Sequence, residues 1–391
     1  MKKNTRLLIK DSLFCTLFAY VLILILSFLV INISFFNPLK KVVKDFSFLD
    51  VYYAENFNTS SEINTDIILL NVEHRDRFEI SQMIDKVMKG QPKIVGVDII
   101  FKDQKEAFID SLLAKSLSNK KIVTSYILEK DSIIENHPLV FNDNVSGFVN
   151  LNFDDKESVI REFAGAKERF KENHLSFSAQ IVKQLMGPLE WENHNYDKIL
   201  KGNTSIRYHG NYDAFFTLGY DEFMQSDNAS LLKDKIILLG YLGDPTGNQY
   251  DVEDKHFTPL NKITAGKSIP DMFGVVVHAN VINMLMKNTL MHRVSNFWIG
   301  VITFLSTFFL IMCFMWLGNQ DRVASRTIKK TVSFLFTIAV TGVSLWLFKI
   351  GIILKIVPIV GITLLSASYI RYYKDLIDYI KSKRKWKSYI R

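Results

Sequence analysis

Four side chains have the chemistry and the placement to bind something. Asp98 sits in "KIVGVDIIF" (93–101), where Ile94, Gly96, Asp98 and Ile100 alternate along one face of a predicted strand. A carboxylate near the carboxyl end of a parallel strand lies where open α/β sheets take their ligands. The competing reading is that it hydrogen-bonds the loop that follows. Asp254 and His256 fall in "GDPTGNQYDVEDKHFTPL" (243–260), which also carries Asp244, Asp251, Glu253 and Thr258. Oxygen-rich loops hold calcium or magnesium. EF-hand spacing is absent, however, and so are HExxH and the other zinc patterns. A solvated loop whose aspartates make turns is preferred, and no metal is expected. His278 stands in "FGVVVHANVINMLMK" (273–287), on a stripe with Val275, Ala279, Ile282, Leu285 and Met286; Asn280, Asn283 and Lys287 take the other face. A lone histidine on an apolar face is more often a hydrogen-bonded core residue than a ligand, and both readings stay open.

Nothing in the sequence assigns nucleophilic catalysis. There is no GxSxG elbow. No Walker A loop and no GxGxxG follows a strand. Ser176 and Ser178 flank no evident base. No catalytic residue and no cofactor are expected, and the chain is read as a non-enzyme.

The elements that position these residues follow from periodicity. "DIILLNV" (66–72), "KIVGVDIIF" (93–101), "KIVTSYIL" (121–128) and "KDKIILLGYLG" (233–243) are apolar runs that suit strands buried on both faces. "EISQMIDKVMK" (79–89) has helical spacing and stops at Gly90. A second helix is predicted over about 105–118. Strand, helix, strand, helix, strand with long connections predicts a mainly parallel sheet flanked by helices. Less regular expectations are a strand in 146–153, a turn and short strand in 154–163, a helix over 174–185, a strand over 204–210, and short helices in 219–232. A polar loop covers 243–272, and a final helix covers 274–287. A loop of that length in a compact domain usually has a use.

Composition sets this domain in a membrane. Hydrophobic residues make up 48% of the 391, and mean hydropathy is +0.10. Four runs, 13–36, 296–317, 331–348 and 351–370, approach the ~20 residues that cross a bilayer core. The first is read as an uncleaved anchor, because its apolar run exceeds a signal-peptide h-region and no small-residue cleavage pattern follows. The third and fourth make a hairpin, with Lys349 and Lys355 reaching the far interface. Residues 1–12, the loop 318–330 and the tail 371–391 are rich in Lys and Arg, which places them in the cytoplasm. The large domain, 37–295, then faces the periplasm or exterior. It holds 30 Lys and Arg against 36 Asp and Glu. The basic balance of the chain is therefore a topology signal, and no nucleic acid is expected as a partner. Cys15 and Cys313 both lie in predicted spans, so the large domain has no disulfide.

Together these segments resemble the type-2 CHASE domain, a bacterial extracytoplasmic sensory module. "DIILLNV" opens it, and "KGQPKIVGVDIIF" resembles its strand ending in Gly-x-Asp. "GFVNLNFDDKESVIREF" and "HLSFSAQIV" follow in order. "LLKDKIILLGYLGD", "DKHFTPL" and "FGVVVHANVINMLM" resemble its closing blocks. One span before the domain and three after it is the family's arrangement. The acidic pair and "WPW.R" stretch usual after the first strand are replaced by "NVEHRDRFEISQMI". Members commonly continue into a cyclase, diguanylate cyclase, histidine kinase or Ser/Thr kinase domain, whereas this sequence stops at Arg391. The resemblance implies a multi-pass protein of the bacterial inner membrane that binds an unknown small-molecule or envelope signal. It would pass the signal to a separate cytoplasmic or membrane partner, with a homodimer left open. Asp98, Asp254, His256 and His278 are the candidate ligand-side residues. The alternative is a non-enzymatic envelope scaffold or a subunit of a membrane complex. The tail "RYYKDLIDYIKSKRKWKSYIR" has an apolar stripe of Tyr373, Leu376, Ile377 and Ile380 among basic residues. It either lies on the anionic inner leaflet, binds a partner helix, or is a helix end obeying the positive-inside rule.

Overall fold

The computed structural model describes residues 3–32, 62–140, 144–151, 159–226, 229–244, 251–261, 269–318 and 325–390. The chain divides into two units, Lys41–Leu290 and the paired segments Met1–Lys40 and Met291–Arg391. The first helix, α1 (Lys3–Asn32), belongs to the latter.

The α/β unit opens with β1 (Asn64–Asn71), α2 (Arg77–Lys89), β2 (Ile94–Val97), α3 (Ala107–Leu117) and β3 (Ile122–Leu128). Asp76 and Glu79 form a reciprocal capping box at the start of α2, which satisfies two otherwise unpaired amides. Short strands β4 (Ile133–Ile134), β5 (Ser146–Phe148), β6 (Glu162–Ala164), β7 (Ala166–Arg169) and β8 (Glu172–Leu175) precede α4 (Phe177–Asn193). Then come α5 (Tyr196–Ile199), β9 (Asn203–Ser205), β10 (Phe215–Leu218), α6 (Tyr220–Gln225) and β11 (Ile236–Gly240). The unit closes with β12 (Lys255–His256), β13 (Met272–Phe273) and α7 (Gly274–Met286).

The main sheet runs β10-β1-β11-β2-β3-β4, with β5 also paired to β3. Every pairing in it is parallel except β3 with β4. This is the expected mainly parallel sheet with flanking helices. Ile68, Leu70, Val95, Val97, Ile237 and Leu239 point to one face, into the core made with α2, α3 and α6. On the other face α4 packs over β2, β3 and β5, and α7 packs over β1 and β11. Close approach of α4 requires Gly96: a Cβ there would lie 2.7–2.8 Å from Ile181, Leu238 and Phe177 side chains.

Several boundaries differ from expectation. The helix predicted from 174 starts at Phe177, because 172–175 form β8 in a hairpin with β7 and Ser176 caps the helix. Gly187, at φ +76°, and Pro188 break α4, since proline removes a helical hydrogen bond. The strand predicted over 204–210 is confined to Asn203–Ser205, paired with β6. The strand predicted in 146–153 is Ser146–Phe148, and 152–158 lie outside the described residues. Of the long loop, 245–250 and 262–268 also lie outside them, while β12 and β13 pair antiparallel.

The second unit adds β14 (His292–Arg293), α8 (Asn296–Gly318), α9 (Ser325–Lys349), β15 (Ile352–Ile353), α10 (Ile356–Ser368) and α11 (Ile370–Lys383). Among the described residues four helical stretches are long and apolar enough to cross a membrane: Asn4–Phe28, Asn296–Gly318, Arg326–Lys349 and Ile356–Lys383. The last was expected to begin at 351. It begins later because Ile352–Ile353 pair in parallel with His292–Arg293. Pro358 then sits in the first helical turn, where no hydrogen bond is lost. Polar contacts tie the helices together: Tyr20 donates to Thr307 at 3.3 Å, and Thr307 meets Thr363 at 3.2 Å. The tail folds back on α1. The Asp11 carboxylate accepts from the Ser388 hydroxyl and the Tyr389 amide, both at 2.6 Å. Lys10 lies 4.0 Å over the Trp386 ring.

Candidate functional site

The carboxyl ends of β1, β11 and β2 lie side by side. The chain leaves β2 toward α3 on one face and leaves β11 toward α7 on the other. Neighbouring strands whose connections depart to opposite faces open a crevice between them. Asp98 lies at its floor, one residue beyond β2, with its amide donating to the Leu239 carbonyl at 2.8 Å. By strand alternation from Ile94 and Gly96 it points to the α4–α7 side.

The Asp98 carboxyl is partly reached by solvent yet surrounded by protein. Burial pushes its pKa up to about 8, and the neighbouring Asp254 adds to the rise. No hydrogen bond to it is found among the described residues. A neutral carboxyl in such a place can donate to a ligand, or ionise when a cation arrives.

Asp254 is the common neighbour. It adopts a left-handed φ of 52°, and its carbonyl accepts the Gly274 amide at 3.0 Å. Its carboxylate lies over the first turn of α7: a Cβ on Gly274 would stand 3.1 Å from both oxygens. The free amides of a helix start favour an anion there. His256 Nε2 is 3.8 Å from Asp254 Oδ1, and both side chains are exposed at the rim.

His278 lies one turn into α7, 4% exposed. Its Nδ1 meets the Ser178 hydroxyl at 2.9 Å, and Phe177 abuts it edge-on at 5.3 Å. Burial pushes its pKa down to about 4 against the pull of Asp254, so it is neutral at physiological pH. Ser178 and His278 stand at nucleophile–base distance, but Ser178 is 1% exposed, and a closed pair offers a substrate no approach. Of the four residues singled out from sequence, Asp98, His256 and His278 are thus neighbours of Asp254; Asp98, Asp254 and His256 lie toward the crevice, whereas His278, also a candidate ligand-side residue, is buried as core behind it.

Other residues of the crevice carried no signal of their own. Asn71 joins two strand ends, accepting from the amides of Glu73 (3.0 Å) and Leu242 (2.9 Å) and donating to the Gly243 carbonyl (2.8 Å). The Tyr241 hydroxyl donates to Asp251 at 2.8 Å, and that bond holds Asp251 below the usual carboxylate range. His74 packs on Tyr241 at 5.0 Å and stands 3.7 Å from Glu253. Asp271 accepts from the Thr258 amide and hydroxyl and from Asn261, latching the loop to the start of α7. Asn280 accepts from the amides of His209 and Gly210 and donates to the Gly210 carbonyl. In the altered segment 73–77, Arg75 pairs with Glu73, Glu79 and Asp221 and lies 4.3 Å over the Tyr220 ring, and Arg77 pairs with Asp110. Among the described residues no three His, Cys, Asp or Glu side chains are grouped to hold a metal ion.

No curated protein and no solved structure matches the chain. The family model of the CHASE2 domain matches residues 65–319, from β1 through the first helix after the domain. The CHASE2 domain is an extracytoplasmic sensory domain, and the four long apolar helices mark a membrane protein. With most of its length under that match, the chain belongs to the CHASE2 domain family.

Proposed function

We propose that the protein is a non-enzymatic receptor of the bacterial inner membrane whose crevice at Asp98 takes a small molecule or envelope component. The large domain faces the periplasm or exterior, and a separate cytoplasmic or membrane partner receives the signal. The observation that supports this reading is the Asp98 carboxyl, without a hydrogen-bond partner among the described residues, at the floor of a topological switch point. Asp254 beside it, with Asp251 and Glu253 close by in the same loop, favours a ligand that presents positive charge or N–H donors. Such a ligand stabilises the ionised form of Asp98, and that differential interaction is what a two-state receptor requires.

The test uses the full chain in nanodiscs and thermal melts with putrescine, spermidine, arginine, glucose and glutamate. A cationic probe is expected to raise the melting temperature of wild type in a dose-dependent way, and to lose at least tenfold in potency on Asp98→Asn. Equal response of both proteins, or none to any probe, removes the cationic-ligand reading. Crosslinked affinity purification, with and without residues 371–391, tests the relay. A single signalling protein captured only with the tail supports it. Unchanged membrane neighbours in both samples favour a scaffold.

A further inference from the structure

The membrane unit contains a pocket of its own. It has a volume of about 530 Å³ and lies among the end of α8, the first turns of α9 and the junction of α10 with α11. Its lining includes four cations, Lys329 and Lys330 from α9 and Arg371 and Lys374 from α11, beside apolar side chains such as Phe314 and Leu364. Among the described residues no carboxylate lines it, and none of the four cations forms an ion pair. Lys329 is directed inward: its Nζ would stand 3.3 Å from a Cβ on Gly318 and lies 5.9 Å from the Phe314 ring.

We propose that this cavity holds the headgroup of one anionic phospholipid, with the phosphate among the four cations and an acyl chain along Phe314 and Leu364. Basic residues at helix ends are ordinary. Four of them lining one half-open pocket, with no carboxylate partner among the described residues, are not, because like charges brought together repel unless an anion joins them. The depth also fits. The 23 residues of α8 span about 35 Å at 1.5 Å per residue, against a hydrocarbon core of about 30 Å. Its end therefore emerges at headgroup level. Basic pockets between membrane helices are recognised headgroup sites, and the volume lies in the range of small-ligand pockets. The apolar lining selects an amphiphile over a free phosphate.

Native mass spectrometry of the full chain, released from mixed phosphatidylglycerol and phosphatidylcholine micelles, reads this directly. Wild type is expected to retain one phosphatidylglycerol in preference to phosphatidylcholine. The double variant Lys329→Gln/Lys374→Gln is expected to lose at least tenfold of that preference. Gly318→Val, which fills the cavity and keeps every charge, is expected to do the same. Lys383→Gln/Lys385→Gln removes equal charge from the tail outside the cavity and is expected to leave retention unchanged. If the tail variant loses as much as the cavity variant, only general surface attraction operates and the proposal fails. Displacement of the lipid by 10 mM inorganic phosphate or glycerophosphoglycerol also overturns it, in favour of a soluble anion. Melting temperatures of all variants in the same micelles separate loss of lipid from loss of fold.

Discussion

Asp98→Asn is expected to stabilise the α/β unit, and to do so more as pH rises. Folded Asp98 keeps its proton up to about pH 8, whereas the ordinary value is 3.8. Between these limits the native state binds more protons than the unfolded state, so stability falls as pH rises. Below pH 3.8 both states are protonated and the cost vanishes. A shift of about four units at about 1.4 kcal/mol each would cost about 6 kcal/mol in a dry site. Solvent reaches this carboxyl and screens its charge, so less than half of that, about 2–3 kcal/mol, is expected. Asparagine is close in shape to the protonated acid and cannot ionise. For a unit of this size about 1 kcal/mol moves the melting temperature by about 2–4 °C. Melts of wild type and variant from pH 3.5 to 8.5 should therefore coincide at the acid end and diverge by roughly 5–10 °C at the alkaline end. A gap independent of pH would refute the reasoning, since the ionisation of Asp98 would then play no part in it. Residues that cost stability in this manner cluster at binding sites, where function opposes packing.

Three further outcomes follow from the same geometry. His278→Ala should destabilise by about 2–4 kcal/mol in denaturant titrations, from the cavity and the lost bond between the imidazole and Ser178; it should also flatten the rise of stability between pH 4 and 6.5 that a histidine depressed to about 4 produces. Gly240→Ala puts a Cβ 2.7 Å from the Cβ of Val275, so α7 must shift, and a loss of about 1–3 kcal/mol is expected. Asp11→Ala removes the acceptor that holds Ser388 and Tyr389, and trypsin should then cut after Lys385 and Lys387 several-fold faster in detergent-solubilised protein; unchanged cleavage would mean the tail is held by Trp386 and its neighbours alone.

The central strands were legible because burial on both faces demands unbroken apolar runs, as at 66–72, 93–101 and 233–243. Edge and hairpin strands were not. β10 is four residues, "FFTL", on the sheet edge, too short for a period to show. The hairpin of β7 and β8 turns through Phe170 and Lys171 at φ 52° and 68°, where glycine or asparagine would normally announce the turn. Asp98 was legible through its place after Gly96. Asn71, His74 and Tyr241 were not, because their partners lie up to some 170 residues away and only the fold brings them together. The sequence left His278 open between core and ligand-side residue; the fold buries it against Ser178, a hundred residues earlier, a neighbour no spacing could announce.

The pairing of β14 with β15 has a mechanical consequence. His292 donates its amide to the Gly351 carbonyl at 2.8 Å, and Val294 donates to Ile353 at 3.0 Å. The strand that leads into α8 is thereby clamped to the strand that leads into α10. A tug on residue 292 is not borne by one helix acting as a piston. The load divides between two, one entering at Asn296 and one at Ile356, and these two helices pack along each other. They are hitched at one end like two ropes tied to a single ring, so strain arriving there becomes a shared tilt in place of a solitary slide.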